Sequence, residues 1–93
     1  MASEATLIGV EFQIELYSKR PAYLQLADQI RAQITSGELK AGDKIPSLHQ
    51  LAEMSGLSMG TVQKAVRSLE MDNLVFTVVG RGAFVTPRNI DAP

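Results

Sequence analysis

The pattern of apolar and polar residues predicts one strand and one long helix in the first part of the chain. Apolar and polar side chains alternate strictly through 10–16 (VEFQIEL), and this period of two indicates a half-buried strand. Across 22–36 the apolar residues recur at helical spacing, and Gly37 follows where a glycine cap is expected. Pro21, which suits the entry of a helix, separates the two elements.

Two shorter helices are predicted at 47–54 and 59–72, each with a serine in an N-cap position. The small Ala52 allows the two helices to cross closely, and Gly56 permits the left-handed conformation that a tight turn between them needs. Val62 supplies an apolar anchor for the second helix. A small residue, a glycine and a branched apolar residue at these spacings are typical of a helix-turn-helix.

The residues after the helix-turn-helix predict a β-hairpin. Segments 74–79 and 83–86 have strand character and flank 80–82 (GRG), whose glycines permit a tight turn. A very short extended piece is also predicted at 44–45, ahead of a proline. A helix-turn-helix followed by a hairpin is a winged helix. We therefore predict a mainly α fold with a small β-sheet (α+β), made of three helices, a hairpin wing and an N-terminal strand.

Length and composition limit the chain to one small domain. We expect an extension with the strand at 1–20, the winged-helix domain at 21–86 and a flexible tail at 87–93. The absence of cysteine excludes disulfides and thiolate metal sites and fits an intracellular setting. Because no apolar stretch approaches the roughly 20 residues that span a bilayer, we expect a soluble, cytoplasmic protein with no membrane partner.

The charge balance gives little support for a nucleic-acid partner. The formal net charge is −1, whereas DNA-binding domains are more often strongly basic. The first 15 residues contain no lysine or arginine, and the rest of the chain holds nine basic and seven acidic residues, a net of +2. This weak bias does not by itself predict DNA binding.

Residues 21–85 resemble the N-terminal DNA-binding domain of GntR-type bacterial transcription regulators. The resemblance rests on PAYLQLADQIRAQITSGELKAGDKIPS, on LAEMSGLSMGTVQKAVRSLE, and on LV followed four residues later by GRGAFV. The lead-in FQIEL is similar to that of the HutC-like branch. The resemblance implies a winged helix, usually dimeric, that binds a pseudo-palindromic operator in double-stranded DNA.

The chain departs from the family pattern at several positions that usually carry charge. Four places where the family sets a guanidinium or other cation against DNA are uncharged here, apart from a partly protonatable histidine: His49, Met59, Gln63 and Val78. Leu48 replaces a usual acidic residue, and Gly60 replaces a usual threonine. Fewer phosphate contacts should weaken DNA binding and flatten its salt dependence.

The remaining polar residues still predict a DNA-binding surface. On the third helix, Gln63 can pair bidentately with adenine and Met59 can contact a thymine methyl group. The serine and threonine hydroxyls suit phosphate contacts. Lys64 is expected at the groove beside Gln63. The two arginines, Arg67 and Arg81, are expected to contact the DNA backbone. The predicted DNA-binding residues are Ser47, His49, Ser58, Met59, Gly60, Thr61, Gln63, Lys64, Arg67, Gly80, Arg81 and Gly82.

Two classes of function are compatible with this sequence. The first is a sequence-specific transcriptional regulator, with 59–72 in the major groove and the wing 74–86 on the backbone or minor groove. The second is a winged helix whose altered DNA face binds protein. A small architectural or excision factor of a mobile element is a variant of the first. The one histidine and the scattered carboxylates form no catalytic or metal-binding cluster, so we expect no enzyme, no metal and no cofactor.

The sequence leaves open the oligomeric state of the protein and whether the chain is a fragment of a longer regulator. Regulators of this family usually continue into a larger effector-binding domain, which this chain lacks, so it is either a fragment or a compact protein without a ligand sensor. A homodimer could form if strand 10–16 paired with the edge of a second copy. The slightly favoured alternative is that this segment folds back on the first helix or on the wing.

Overall fold

The computed structural model describes residues 12–87 and contains three helices followed by a hairpin. The helices are α1 (Ala22–Ser36), α2 (Leu48–Ser55) and α3 (Met59–Met71), and the strands are β1 (Val75–Val78) and β2 (Gly82–Val85). Each predicted helix and hairpin strand is present, with its ends within one residue of the prediction. The α+β winged-helix fold is thereby confirmed.

Local sequence signals fix where the helices begin and end. Ser47 caps α2 in a reciprocal box, because its Oγ accepts the Gln50 backbone N–H at 3.1 Å while Gln50 Oε1 accepts the Ser47 backbone N–H at 2.9 Å. Gly56 then ends α2 in the left-handed conformation, with φ 76°. Asn73 follows α3 with φ 61°, which asparagine tolerates better than most residues. These conformations set the turns on both sides of α3.

The core lies between α1, α3 and the inner face of the hairpin. It contains Phe12, Leu26, Ala27, Ile30, Ile34, Leu39, Ile45, Leu51, Val62, Ala65, Val66, Leu69, Val75 and Val85. The predicted inner face of α3 is thus buried. Ala52, expected at the helix crossing, packs against this core and is partly buried. Burial on one side of α3 leaves its opposite side free for a partner.

The wing is anchored by a third piece of chain. β1 and β2 pair antiparallel with Phe76 opposite Phe84 and Val78 opposite Gly82. Lys44, in the predicted extended piece, forms an isolated bridge to Phe84 on the other edge of β2. The Ile45 backbone N–H donates to the Ala83 carbonyl at 3.0 Å, which adds to this pairing. Strand β2 is therefore hydrogen-bonded along both edges, to β1 on one side and to residues 43–45 on the other.

The predicted N-terminal strand lies only partly within the described residues. Residues 10 and 11 of that prediction, and tail residues 88–93, lie outside the described range, and 12–16 form no strand. Instead, two glutamines of α1 bind this segment, because their carboxamides offer the same donor and acceptor pair as a neighbouring strand. Gln29 exchanges hydrogen bonds of 2.9 and 2.8 Å with the main chain of Gln13. Gln25 does the same for Glu15 at 2.8 and 2.9 Å.

Candidate nucleic-acid interface

The start of α3 presents hydroxyl groups in a defined arrangement. Ser58 caps the helix by accepting the Thr61 backbone N–H at 3.2 Å, and its own hydroxyl donates to Thr61 Oγ1 at 2.9 Å. The Thr61 hydroxyl hydrogen therefore remains available for an outside acceptor. A helix N-terminus also favours negative charge. This end of α3 is thus suited to a phosphate oxygen.

A stripe of exposed side chains runs along α3 away from the core. Met59, Gln63 and Arg67 follow one another at four-residue spacing, which places them on one face of the helix. Met59 keeps 43% of its surface exposed. At Gly60, beside this stripe, a Cβ atom would meet nothing within 4 Å. We call Met59, Gln63 and Arg67 the α3 stripe.

Lys64 is oriented by a residue of another helix. Its Nζ lies 4.6 Å from the centroid of the Tyr23 ring, within the range of a cation–π contact. Tyr23 is partly buried at the start of α1. Lys64 therefore lies at the side of the α3 stripe that faces the beginning of α1, and it keeps its charge exposed there.

The tip of the wing exposes one cation between two glycines. The Arg81 backbone N–H donates to the Val78 carbonyl at 2.9 Å, which closes the turn. Gly80 and Gly82 have φ values of 80° and 117°, a region that other residues rarely adopt. The glycines leave the Arg81 side chain exposed with little bulk beside it.

Two predicted residues belong to α2 rather than to α3 or the wing. The Ser47 hydroxyl oxygen is occupied as the helix cap, so only its hydrogen is left to donate. His49 is highly exposed, and its Nε2 lies 3.7 Å from Glu53 Oε2. Both residues lie at the start of the helix that precedes the turn into α3.

Sequence reasoning did not identify Tyr23 and Lys44 as parts of this surface. The Tyr23 contact joins helices far apart in the chain, and no local pattern shows it. For Lys44 the sequence gives only a weak indication, namely that this lysine lies in a short extended piece before the helix-turn-helix. Its stem lies against Gly82, where a Cβ atom would be 2.8 Å from Lys44 Cε. The wing thus includes a cation that hairpin motifs alone do not reveal.

Charge pairing is concentrated on the far side of α1. Arg20 donates to both carboxylate oxygens of Asp28, at 2.6 and 3.0 Å, and Arg31 bridges Asp28 and Asp72. The Arg20 guanidinium hydrogen bonds hold the pKa of Asp28 below its ordinary range, and Asp28 raises the pKa of Arg20. Within 12–87, the cations with no carboxylate inside 4 Å are Lys19, Lys40, Lys44, Lys64, Arg67 and Arg81. Four of these belong to α3 or the wing.

The helices of residues 12–87 are too short and too polar to cross a membrane.

Comparison with known proteins identifies the family. The family model described as bacterial regulatory proteins, gntR family, matches residues 22–85. The chain is 38% identical over 72 residues to the mannosyl-D-glycerate transport/metabolism system repressor MngR of Escherichia coli (strain K12). It is 35% identical over 74 residues to the HTH-type transcriptional repressor YtrA of Bacillus subtilis (strain 168). These matches cover 77% and 80% of this chain but only 30% and 57% of the two repressors.

Solved structures agree with this assignment. YtrA from Sulfolobus acidocaldarius, a GntR-family transcription factor, superposes with a TM-score of 0.77 at 43% identity, covering 85% of this chain and 83% of that one. AraR(DBD) in complex with operator ORX1 superposes with a TM-score of 0.75 at 27% identity, covering 83% of this chain and 99% of that one. The chain belongs to the gntR family of bacterial regulatory proteins, and its winged helix is that of a DNA-binding transcription regulator.

Proposed function

We propose that this domain binds a specific operator, with α3 in the major groove and the wing on the DNA backbone or in the minor groove. The observation that carries the proposal is the exposed α3 stripe, flanked by cations that no described carboxylate pairs. The similar AraR(DBD) is in complex with operators in solved structures, which supports DNA as the partner. A regulator of this kind acts on the chromosome, so we place the protein in the cytoplasm.

Met59 and Gln63 of the α3 stripe supply the base contacts in this proposal. The Gln63 carboxamide matches the donor and acceptor pair of adenine, and Met59 can contact a thymine methyl group. Gly60 has no side chain and open space around it, so the helix can approach the base edges closely. The preferred site is therefore rich in A·T pairs.

The hydroxyls and cations supply the phosphate contacts. Thr61 donates its free hydroxyl hydrogen, oriented by the cap at Ser58. Lys64, held by Tyr23, contacts the backbone beside the groove, and Arg67 does so further along α3. Ser47 and His49 add weaker contacts from α2. Arg81, between Gly80 and Gly82, contacts the backbone or enters the minor groove.

Two copies of the domain occupy one operator in this proposal. A single domain with few free cations binds a half-site weakly, and two-fold operators require two copies about one helical turn apart. Gln25 and Gln29 occupy main-chain groups of Gln13 and Glu15, so one edge of the segment 12–16 is not available to pair with a second copy. Light scattering across a dilution series, with and without DNA, tests the dimer. A strictly monomeric protein under all these conditions would contradict it.

A protein-interaction module is the second candidate, and the exposed Met59 in place of a usual arginine favours it. The two candidates differ in salt dependence. DNA binding loses affinity with salt at a slope of about −0.9 per phosphate contact, whereas a protein module shows no salt-dependent binding to duplex DNA.

Fluorescence anisotropy with a labelled random-sequence duplex from 50 to 200 mM salt separates the two candidates. Arg81→Ala should lower the slope by about one unit. Arg31→Ala, which removes an equal charge from the paired side of α1, is the matched control and should leave the slope unchanged. No binding by the unmodified domain at 50 mM salt would favour the protein module.

A further inference from the structure

One cation of the wing, Lys44, lies in the short extended piece outside the hairpin. Lys44 pairs with Phe84 across the second edge of β2. On either side of it, the Ile45 N–H donates to the Ala83 carbonyl at 3.0 Å and the Val85 N–H donates to the Asp43 carbonyl at 2.8 Å. The backbone of Lys44 is therefore fixed relative to the wing by main-chain hydrogen bonds.

The side chain of Lys44 extends towards the tip of the wing. A Cβ atom at Gly82 would lie 2.8 Å from Lys44 Cε and 3.6 Å from its Nζ. The lysine stem thus lies against the glycine, and the ammonium ends beside the residue that follows Arg81. The φ of 117° at position 82 favours glycine, and the lysine stem occupies the space where a side chain would begin.

This position coincides with a gap in the charge of the hairpin. The strands β1 and β2 contain no charged residue, and Val78 at the end of β1 is the register partner of Gly82. Lys44 reaches that same Gly82 from the opposite edge. Within 12–87 no carboxylate lies within 4 Å of the Lys44 ammonium, so its charge is not neutralised.

We propose that Lys44 is a DNA-backbone contact of the wing and supplies, from the neighbouring extended segment, positive charge that the two hairpin strands lack. With Arg81 it forms a pair of cations at the wing. The stem of Lys44 packs on Gly82, so folding already restricts the rotamers of this side chain. A phosphate contact therefore costs less side-chain entropy on binding. The inference rests on the proposed DNA-binding function and extends it to a residue outside the helix-turn-helix and hairpin.

The test compares two lysine variants in the same anisotropy titration. Lys44→Met keeps the length of the stem and removes the charge, and Lys44→Arg keeps the charge. Lys40→Met is the matched control, because Lys40 is also exposed, lies four residues earlier and gives the same change in net charge. The unfolding midpoint in urea is measured for all variants.

We expect Lys44→Met to reduce the steepness of the salt slope by about 0.9, so that a fourfold rise in salt costs about 3.5-fold less affinity than in the unmodified domain. Lys44→Arg and Lys40→Met should keep the original slope. The slope does not depend on the folded fraction, so the comparison holds even if Lys44→Met is less stable.

An unchanged slope in Lys44→Met would overturn the inference and leave DNA binding intact. An equal reduction in Lys40→Met would also overturn it, because net charge alone would then explain the effect. If the unmodified domain shows no salt-dependent binding, both the inference and the proposed function fail.

Discussion

The contact between Lys64 and Tyr23 predicts a measurable energetic coupling between α3 and α1. The Lys64 Nζ lies 4.6 Å from the ring centroid, inside the roughly 6 Å limit of a cation–π interaction. Lys64 is exposed and Tyr23 is partly buried, so the lower part of the known range applies, about 0.5–1 kcal/mol. That energy corresponds to a factor of about 2 to 5 in the unfolding equilibrium.

A double-mutant cycle isolates this energy from the packing of the ring. The variants are Tyr23→Leu, Lys64→Met and their combination, and urea unfolding followed by circular dichroism gives each free energy of unfolding. We expect the two single changes to sum to about 0.5–1 kcal/mol more than the double change. Tyr23→Phe keeps the aromatic face and should keep the coupling to Lys64.

Two results would refute this reasoning. Additivity of the two substitutions to within about 0.3 kcal/mol would show that the ammonium gains nothing from the ring. A coupling that disappears in Tyr23→Phe would assign the effect to the phenol hydroxyl instead. In the first case Lys64 would lack a fixed position beside the α3 stripe, and in the second the hydroxyl rather than the ring face would hold it.

Three further predictions concern the helix crossing, base recognition and pH. Ala52→Leu should overpack the crossing of α2 and α3 and lower the free energy of unfolding by roughly 1–3 kcal/mol; an unchanged urea midpoint would mean the crossing lies elsewhere. Gln63→Ala should relax the preference at one base position by about 1–3 kcal/mol, measured by competition among single-base operator variants; equal discrimination before and after the change would remove Gln63 from the base contacts. The pKa of Asp28 is lower in the folded protein than its unfolded value of about 3.9, so the ionised carboxylate stabilises the fold above that pH and the stability is lost as pH falls through the folded pKa. Urea midpoints between pH 6 and pH 3 should therefore fall less in Arg20→Met than in the unmodified domain. Identical pH profiles would contradict the role of Arg20.

Local signals were sufficient to predict the helices and the hairpin. Serine caps, glycine and asparagine exits and the 3.6-residue period act within a few residues of each boundary, and the structure keeps each of them. The alternation at 10–16 also predicted the burial of Phe12, which lies in the core, although Leu16 on the same predicted face is exposed. Alternation does not specify which groups form hydrogen bonds with the main chain of the segment. Here the side chains of Gln25 and Gln29 take the place of a neighbouring strand.

The orientation of the site residues depended on contacts between distant elements. The spacing of Met59, Gln63 and Arg67 was sufficient to place them on one exposed face. Lys64, one residue away from Gln63, could have pointed to either side, and only the packing of α1 on α3 brings Tyr23 beneath it. Lys44 reaches the wing because its extended segment bridges the outer edge of β2, a contact between distant parts of the chain that no single segment reveals.

The most direct test of the central claim is a map of backbone amide chemical-shift changes when a duplex DNA is added to the 15N-labelled domain. The account predicts that the largest changes lie at 58–67 and 80–82, with little change at Asp28, Arg31 and Asp72 on the paired side of α1. Largest changes on that paired side, or no changes at 50 mM salt, would contradict DNA binding by the α3 stripe and the wing.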